Sequence, residues 1–297
     1  MIYIMRKEGM VEIELIAPIK QKEWGWPAAA NFILGGAGAG FYIFTFLTMI
    51  FKNPNSALNY PLSYWMIGPV LVVTGFLCLI IDTGRPLRSF YIFRHFAKAW
   101  ISKEILAFSF FAPAVIFDYF FPNLILKSCA VSSSLFFMVA QGFILYSSRA
   151  IPAWNLSIMP LFFLSSGFAS GAGLTLILAA SGRIVIEAGL VLLSLACVIW
   201  NLIVWLFYLR WFRAIYFQLA GETLCRPIKM FLAIVLGHVL PIVMLLLLQV
   251  QLLPEIGMMP QGVFAMISGL AIVTGVTVQK AGIVLLSGFT VKVTLRS

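Results

Sequence analysis

Long apolar blocks separated by short polar breaks run through nearly the whole chain. The blocks lie near 28–51, 62–82, 104–121, 125–146, 158–181, 188–209, 230–250 and 261–279. As helices rising about 1.5 Å per residue, each comes close to crossing a hydrocarbon core of roughly 30 Å. The pattern therefore predicts an all-α, polytopic membrane protein of eight transmembrane helices, arranged as two four-helix bundles. Residues 1–23 read as an N-terminal arm, 24–280 as the membrane domain, with halves 24–150 and 151–280, and 281–297 as a tail. Backbone groups in lipid must be satisfied within the helices, and the short loops leave no room for a soluble catalytic domain. VEIEL at 11–15 alternates apolar and acidic residues, which fits either a short strand or an extended arm lying on a partner. No continuous apolar stretch in the arm leads to a small-residue cleavage site, so no cleaved leader is expected.

Composition agrees with the pattern: 62% of residues are hydrophobic and 10% charged, with a mean hydropathy of +1.03. The net charge of +10 would suggest nucleic acid if the cations were scattered. Placed on the predicted topology, all lysines and arginines except Lys52, Lys127 and Arg183 fall on one side of the membrane. This is the positive-inside pattern, with both termini cytoplasmic and the lipid bilayer, not nucleic acid, as the partner. On that layout Lys280 belongs with Lys292 and Arg296 among the cations that follow the last helix.

Metal chemistry has little to work with. Cys78, Cys129, Cys197 and Cys225 are far apart and form no CxxC, so no iron–sulfur cluster is expected in this chain. His95 falls in a predicted connection and His238 inside the seventh helix, which rules out stacked bis-histidine haems. His238 is either a polar packing residue or, as an ionisable group within a span, a functional one.

FILGGAGAGF at 32–41 and FLSSGFASGAGL at 163–174 echo each other, and each follows a tryptophan and a proline. Repeats of four helices would run in the same direction. GGAGAG at 35–40 lacks the GxGxxG spacing and a preceding strand, so it is not a dinucleotide loop. Gly36 with Gly40, and Gly167 with Gly171, form GxxxG pairs that let either a helix backbone or a flat ligand approach closely.

The candidate chemistry centres on Asn31. Pro27 suits the first turn of a helix, so Asn31 lies about 6 Å deeper, with Trp24 and Trp26 at the headgroup level. An amide there can bond a quinone carbonyl while Gly35 and Gly36 leave room for a ring; an interhelical hydrogen bond from Asn31 is the plainer alternative. Asp82, Arg85, Glu104, Gln141, Tyr146 and Arg149 fall at the same membrane level. Asp82, Arg85 and Glu104 could relay the protons that quinone reduction needs, or Asp82 and Arg85 could simply pair at a helix end. Asp118 and Glu187 fall at the opposite level, where solvation of helix ends is expected.

WGWPAAANFILGGAGAG at 24–40, DTGRPLRSF at 82–90, AWISKEI at 99–105 and RAIPAWN at 149–155 together resemble the NrfD/PsrC/DmsC superfamily of membrane anchor subunits. The resemblance implies an anchor in a prokaryotic cytoplasmic membrane that binds menaquinone or ubiquinone and carries no haem or iron–sulfur cluster of its own. It also implies two partners: a ferredoxin-like 4Fe–4S subunit and a molybdopterin catalytic subunit. In polysulfide-reductase-like members an asparagine and a histidine of the first helix meet the quinone, and those positions look like Ala28 and Asn31; the fourth-helix tyrosine looks replaced by Ala140, beside Gln141. The resemblance thus points to Asn31 and Gln141 as substitute hydrogen-bonding groups, with Trp24 and Trp26 lining the entrance and Tyr146 nearby. WGWPAAANF is also similar to the first helix of phenylacetyl-CoA:acceptor oxidoreductase anchors. The rival expectation, from the repeat and the glycine-rich helices, is a small-solute or ion transporter with a cavity between the halves.

Overall fold

The computed structural model describes residues 2–6, 9–15, 19–22, 24–52, 62–82, 99–182, 184–215, 227–251, 260–290 and 293–295. Its first six helices are α1 (Trp26–Lys52), α2 (Leu62–Asp82), α3 (Trp100–Phe120), α4 (Leu124–Tyr146), α5 (Met159–Ala180) and α6 (Ala188–Ile215). α7 runs through Pro227–Met230, a π-helical stretch Phe231–Val239, and Leu240–Gln251. α8 (Gln261–Ala281) continues as a π-helical turn over Gly282–Leu286. Seven of these helices are long and apolar enough to cross a membrane, whereas the apolar stretch of α2 is the shorter Tyr64–Ile80. The chain is thus a mostly helical, multi-pass membrane protein.

Local chemistry explains where the helices begin and end. Pro27 occupies the first turn of α1, where a missing N–H costs nothing. The Asn123 side chain accepts from the Ile125 N–H at 2.9 Å and caps α4 only three residues after α3 ends. α5 stops at Ser181–Gly182, where Gly182 has φ +73°, a conformation that costs glycine nothing.

Hydrophobic burial cannot drive helices together in lipid, so close backbone packing must do so. A Cβ on Gly40 would run into the carbonyl of Gly167, and one on Gly171 into the backbone of Gly40. The two GxxxG segments therefore pack against each other, joining α1 to α5. Backbone contacts of the same kind join α1 to α2 at Gly38 and Gly68, α5 to α8 at Gly173 and Gly269, and α7 to α8 at Gly237 and Gly275. Neighbours follow one cyclic order in each half: α1 touches α2 and α4, α3 touches both, and α5 to α8 repeat the arrangement. The halves meet where α1 and α4 lie on α5 and where α1 lies on α8. Outward positions such as Val70, Leu77, Phe110, Phe117, Phe207 and Leu246 are exposed apolar side chains, as a lipid-facing surface requires.

The arm and the tail pair with each other. β2 (Gly9–Leu15) lies antiparallel to both β1 (Ile2–Arg6) and β5 (Val293–Leu295), with Ile13 opposite Ile2 and Leu295. β3 (Ile19–Lys20) pairs with β4 (Phe289–Thr290). The alternating segment at 11–15 is thus a strand on the chain's own tail, and both chain ends lie at the same end of the bundle.

Gly40→Val is expected to push α1 from α5 and cost about 1–3 kcal/mol or more, read as earlier thermal unfolding in detergent. Gly189→Ala is the control. Nothing lies within 4 Å of a Cβ there, so alanine should be neutral or stabilise by up to about 1 kcal/mol. Equal effects of the two changes would contradict the packing account.

Candidate functional site

α1 and α3 begin, and α4 ends, at one end of the bundle, and each contributes a polar side chain about one turn in. Asn31 Nδ2 donates to Glu104 Oε1 at 3.3 Å, and Gln141 Nε2 donates to the same oxygen at 3.0 Å. Gln141 Nε2 also lies 3.3 Å from the Asn31 carbonyl oxygen. The three side chains are 2%, 1% and 0% exposed, so the Glu104 carboxyl relies on these amides in place of water. Gln141 spends both its N–H groups and Asn31 one on this cluster, and Asn31 Oδ1 and Gln141 Oε1 are left buried with no hydrogen-bond partner among the described residues. Such orphaned acceptors are costly unless a donor meets them.

The glycines beside Asn31 shape the cluster differently from the expectation of room for a ring. A Cβ on Gly35 would lie 2.7 Å from Gln141 Nε2, and one on Gly36 would lie 3.3 Å from Gln141 Oε1 and collide with Lys280 Nζ. The missing side chains let Gln141 and Lys280 lie directly on the α1 backbone. Gly75 of α2 closes the other side, its Cβ position 3.1 Å from Asn31 Oδ1.

Lys280 is a correction to the sequence reading. α8 runs on past it, and the side chain is 0% exposed, with Nζ donating to the Phe32 carbonyl at 2.9 Å and lying 5.4 Å from the Phe163 ring centre. The signal was present in the apolar run AGIVLLSGF that follows it. A helix that continues past a lysine carries that lysine into the packed interior, and a hydropathy boundary drawn at the charge conceals this.

The remaining candidates are spread out. Trp24 is half-buried and stacks on Phe32 at 5.6 Å and beside Trp154 at 5.4 Å, whereas Trp26 is 62% exposed. Tyr146 lines a separate cleft of about 490 Å³ with Arg149, Pro152, Asn155 and Trp211. Asp82 ends α2, but its side chain, like Arg85 and His95, lies outside the described residues.

Among the described residues two further clusters join buried ionisable side chains. In the π-helical stretch of α7, His238 Nδ1 is 2.6 Å from the Ala233 carbonyl, and Nε2 is 2.9 Å from Asn201 Oδ1 and 3.3 Å from Gln279 Nε2. Asn201 in turn donates to Ser165 Oγ at 3.2 Å. Both ring nitrogens of His238 are thus engaged with protein atoms. The halves match in this respect: an ionisable group on the third helix touches a glutamine on the fourth, Glu104 with Gln141 and His238 with Gln279. At the opposite end of the bundle from Glu104, Asp118 forms a buried ion pair with Lys127 and accepts from the Asn123 N–H at 2.9 Å. Asp118 is therefore paired inside the bundle and does not merely solvate a helix end.

Buried carboxyl, amide and amine groups grouped at one depth of a helical bundle make this cluster the candidate functional site of a multi-pass membrane protein. Residues 17–138 match the family model described as polysulphide reductase, NrfD. Over 181 residues the sequence is 26% identical to the C subunit of polysulfide reductase from Wolinella succinogenes, in an alignment covering 50% of this protein and 55% of that one. The match thus spans about half the length of the curated relative. Both matches mark similarity to the polysulphide reductase NrfD family over part of the protein. The matched family segment takes in Asn31 and Glu104; Gln141, His238 and Lys280 lie beyond its end.

Lys127→Met is expected to cost about 3–5 kcal/mol of stability, because it leaves Asp118 buried and unpaired. The double change Asp118→Leu with Lys127→Met should recover most of that loss, and a thermal unfolding cycle of the four proteins checks it. Additive losses would contradict the pairing.

Proposed function

We propose that this protein is the quinone-interacting membrane subunit of a multisubunit oxidoreductase. It exchanges electrons between the quinone pool and a peripheral enzyme made of a ferredoxin-like 4Fe–4S subunit and a molybdopterin catalytic subunit. The observation that carries the reading is the convergence of Asn31, Glu104 and Gln141, remote in sequence, in one buried cluster near one end of the bundle. Similarity to the polysulfide reductase C subunit supports the same assignment.

The donor and acceptor set fits a quinone–quinol pair. The orphaned Asn31 Oδ1 and Gln141 Oε1 suit the hydroxyl donors of a quinol, and the amide N–H groups, once released from Glu104, suit quinone carbonyls. The bound quinone supplies the electron chemistry. The protein's own residues orient the head group, exclude water, and hold a proton at the Glu104 carboxyl. Glu104 is the proton-handling residue of this reading, Asp82 and Arg85 are further relay candidates, and Trp24 and Trp26 flank the approach from lipid. The cluster is closed, so a head group enters by parting Gln141 from Glu104.

With the basic connections cytoplasmic, the cluster lies near the cytoplasmic face of a prokaryotic inner membrane and the peripheral subunits dock there. A transporter is the weaker reading, because the Asn31 cluster lies near one end of the bundle and transporter sites lie near the midplane.

In membranes holding the whole complex, Asn31→Leu and Glu104→Gln are each expected to lower quinone-coupled turnover by roughly tenfold or more, by analogy with the loss of a buried hydrogen bond to a charged group. Electron exchange between artificial dyes and the peripheral subunits should continue at the parental rate. Quinone turnover unchanged in both variants would remove the cluster from the reaction.

A further inference from the structure

Lys280 belongs to the second half of the protein, yet its amino group lies in the cluster of the first half. α8 crosses α1 where Gly36 removes the side chain that would otherwise occupy the position of Nζ. Within the packed interior Nζ donates to a carbonyl already engaged in helix geometry, that of Phe32. A lysine carries more N–H groups than this one bond uses, in either protonation state. The unpartnered Gln141 Oε1 faces the same patch of α1 backbone as Nζ, both being neighbours of the missing Gly36 side chain. A buried lysine with no ion pair among the described residues is expensive in lipid, and its flexible four-carbon stem allows the nitrogen to reach more than one acceptor.

We infer that Lys280 is a head-group-binding residue of the quinone site, donating to one ring oxygen while the amides of Asn31 and Gln141 and the Glu104 carboxyl serve the other side. This rests on the quinone reading above and deepens it. The site becomes a junction between the two halves, completed by a residue outside the matched family segment. Gly36 has a defined part in this arrangement, because any side chain there would displace the amine.

The test uses the whole complex in lipid nanodiscs, with decylubiquinone and 2,3-dimethyl-1,4-naphthoquinone as probes. Lys280→Met is expected to weaken binding of the better probe by roughly tenfold to a hundredfold, and Lys280→Gln, which keeps an N–H donor, by less. A second measurement needs no variant. Protein labelled with 15N at the lysine Nζ and probe labelled with 13C at its carbonyls should show dipolar coupling in solid-state NMR, corresponding to about 4 Å. That coupling is one a merely structural lysine would not produce. Binding by the parental protein without lysine coupling, and with Lys280→Met binding equally well, overturns the role of Lys280 alone. Failure of the parental protein to bind either probe overturns the quinone reading and this inference together.

Discussion

Close approach of the neighbouring helices to the glycines of α1 is the constraint on which everything else depends. Lipid supplies neither water for a buried polar group nor a hydrophobic force between helices, so both the fold and the cluster must come from contacts at backbone distance. Gly40 meets α5, Gly38 meets α2, and Gly35 and Gly36 admit Gln141 and Lys280. The same run of small residues therefore brings the halves together and seats the polar groups against the helix. Glu104 can be buried only because two amides reach it, and Gln141 reaches it only because Gly35 carries no side chain.

The interior is mainly apolar, and the polar side chains buried in it are grouped. Glu104, Asn31, Gln141 and Lys280 gather near one end, His238, Asn201, Ser165 and Gln279 fill the core of the second half, and Asp118 with Lys127 brace the other end. Gln279 and Lys280 are consecutive on α8, one facing His238 and the other facing Phe32. The two clusters are thereby joined by consecutive residues of one helix.

Much of this was legible in the sequence because helix rise converts residue number into depth. Asn31, Glu104 and Gln141 each fall a turn or so from a helix end, so their common level could be inferred before any contact was known. What glycine faces cannot be read in this way: the spacing of Gly36 and Gly40 allows a ring or a backbone equally, and only the neighbours decide. Lys280 escaped because hydropathy places a boundary at a charge, and the following AGIVLLSGF then looks like tail. The ion pair of Asp118 with Lys127 escaped for a related reason, since residues at helix ends look solvated until the loop between them proves to be three residues long. Strand pairing between VEIEL and the tail joins opposite ends of the sequence, which local alternation cannot anticipate.

The central claim is that the head group of a quinone reaches the Asn31, Glu104 and Gln141 cluster. Photolabelling tests it most directly: an azidoquinone is bound to the intact complex in membranes and the modified peptides of this protein are mapped. The account predicts that label falls on the α1, α3 and α4 segments around those three residues and is displaced by excess unlabelled quinone. Displaceable label confined to other parts of the protein, or to another subunit, would contradict it.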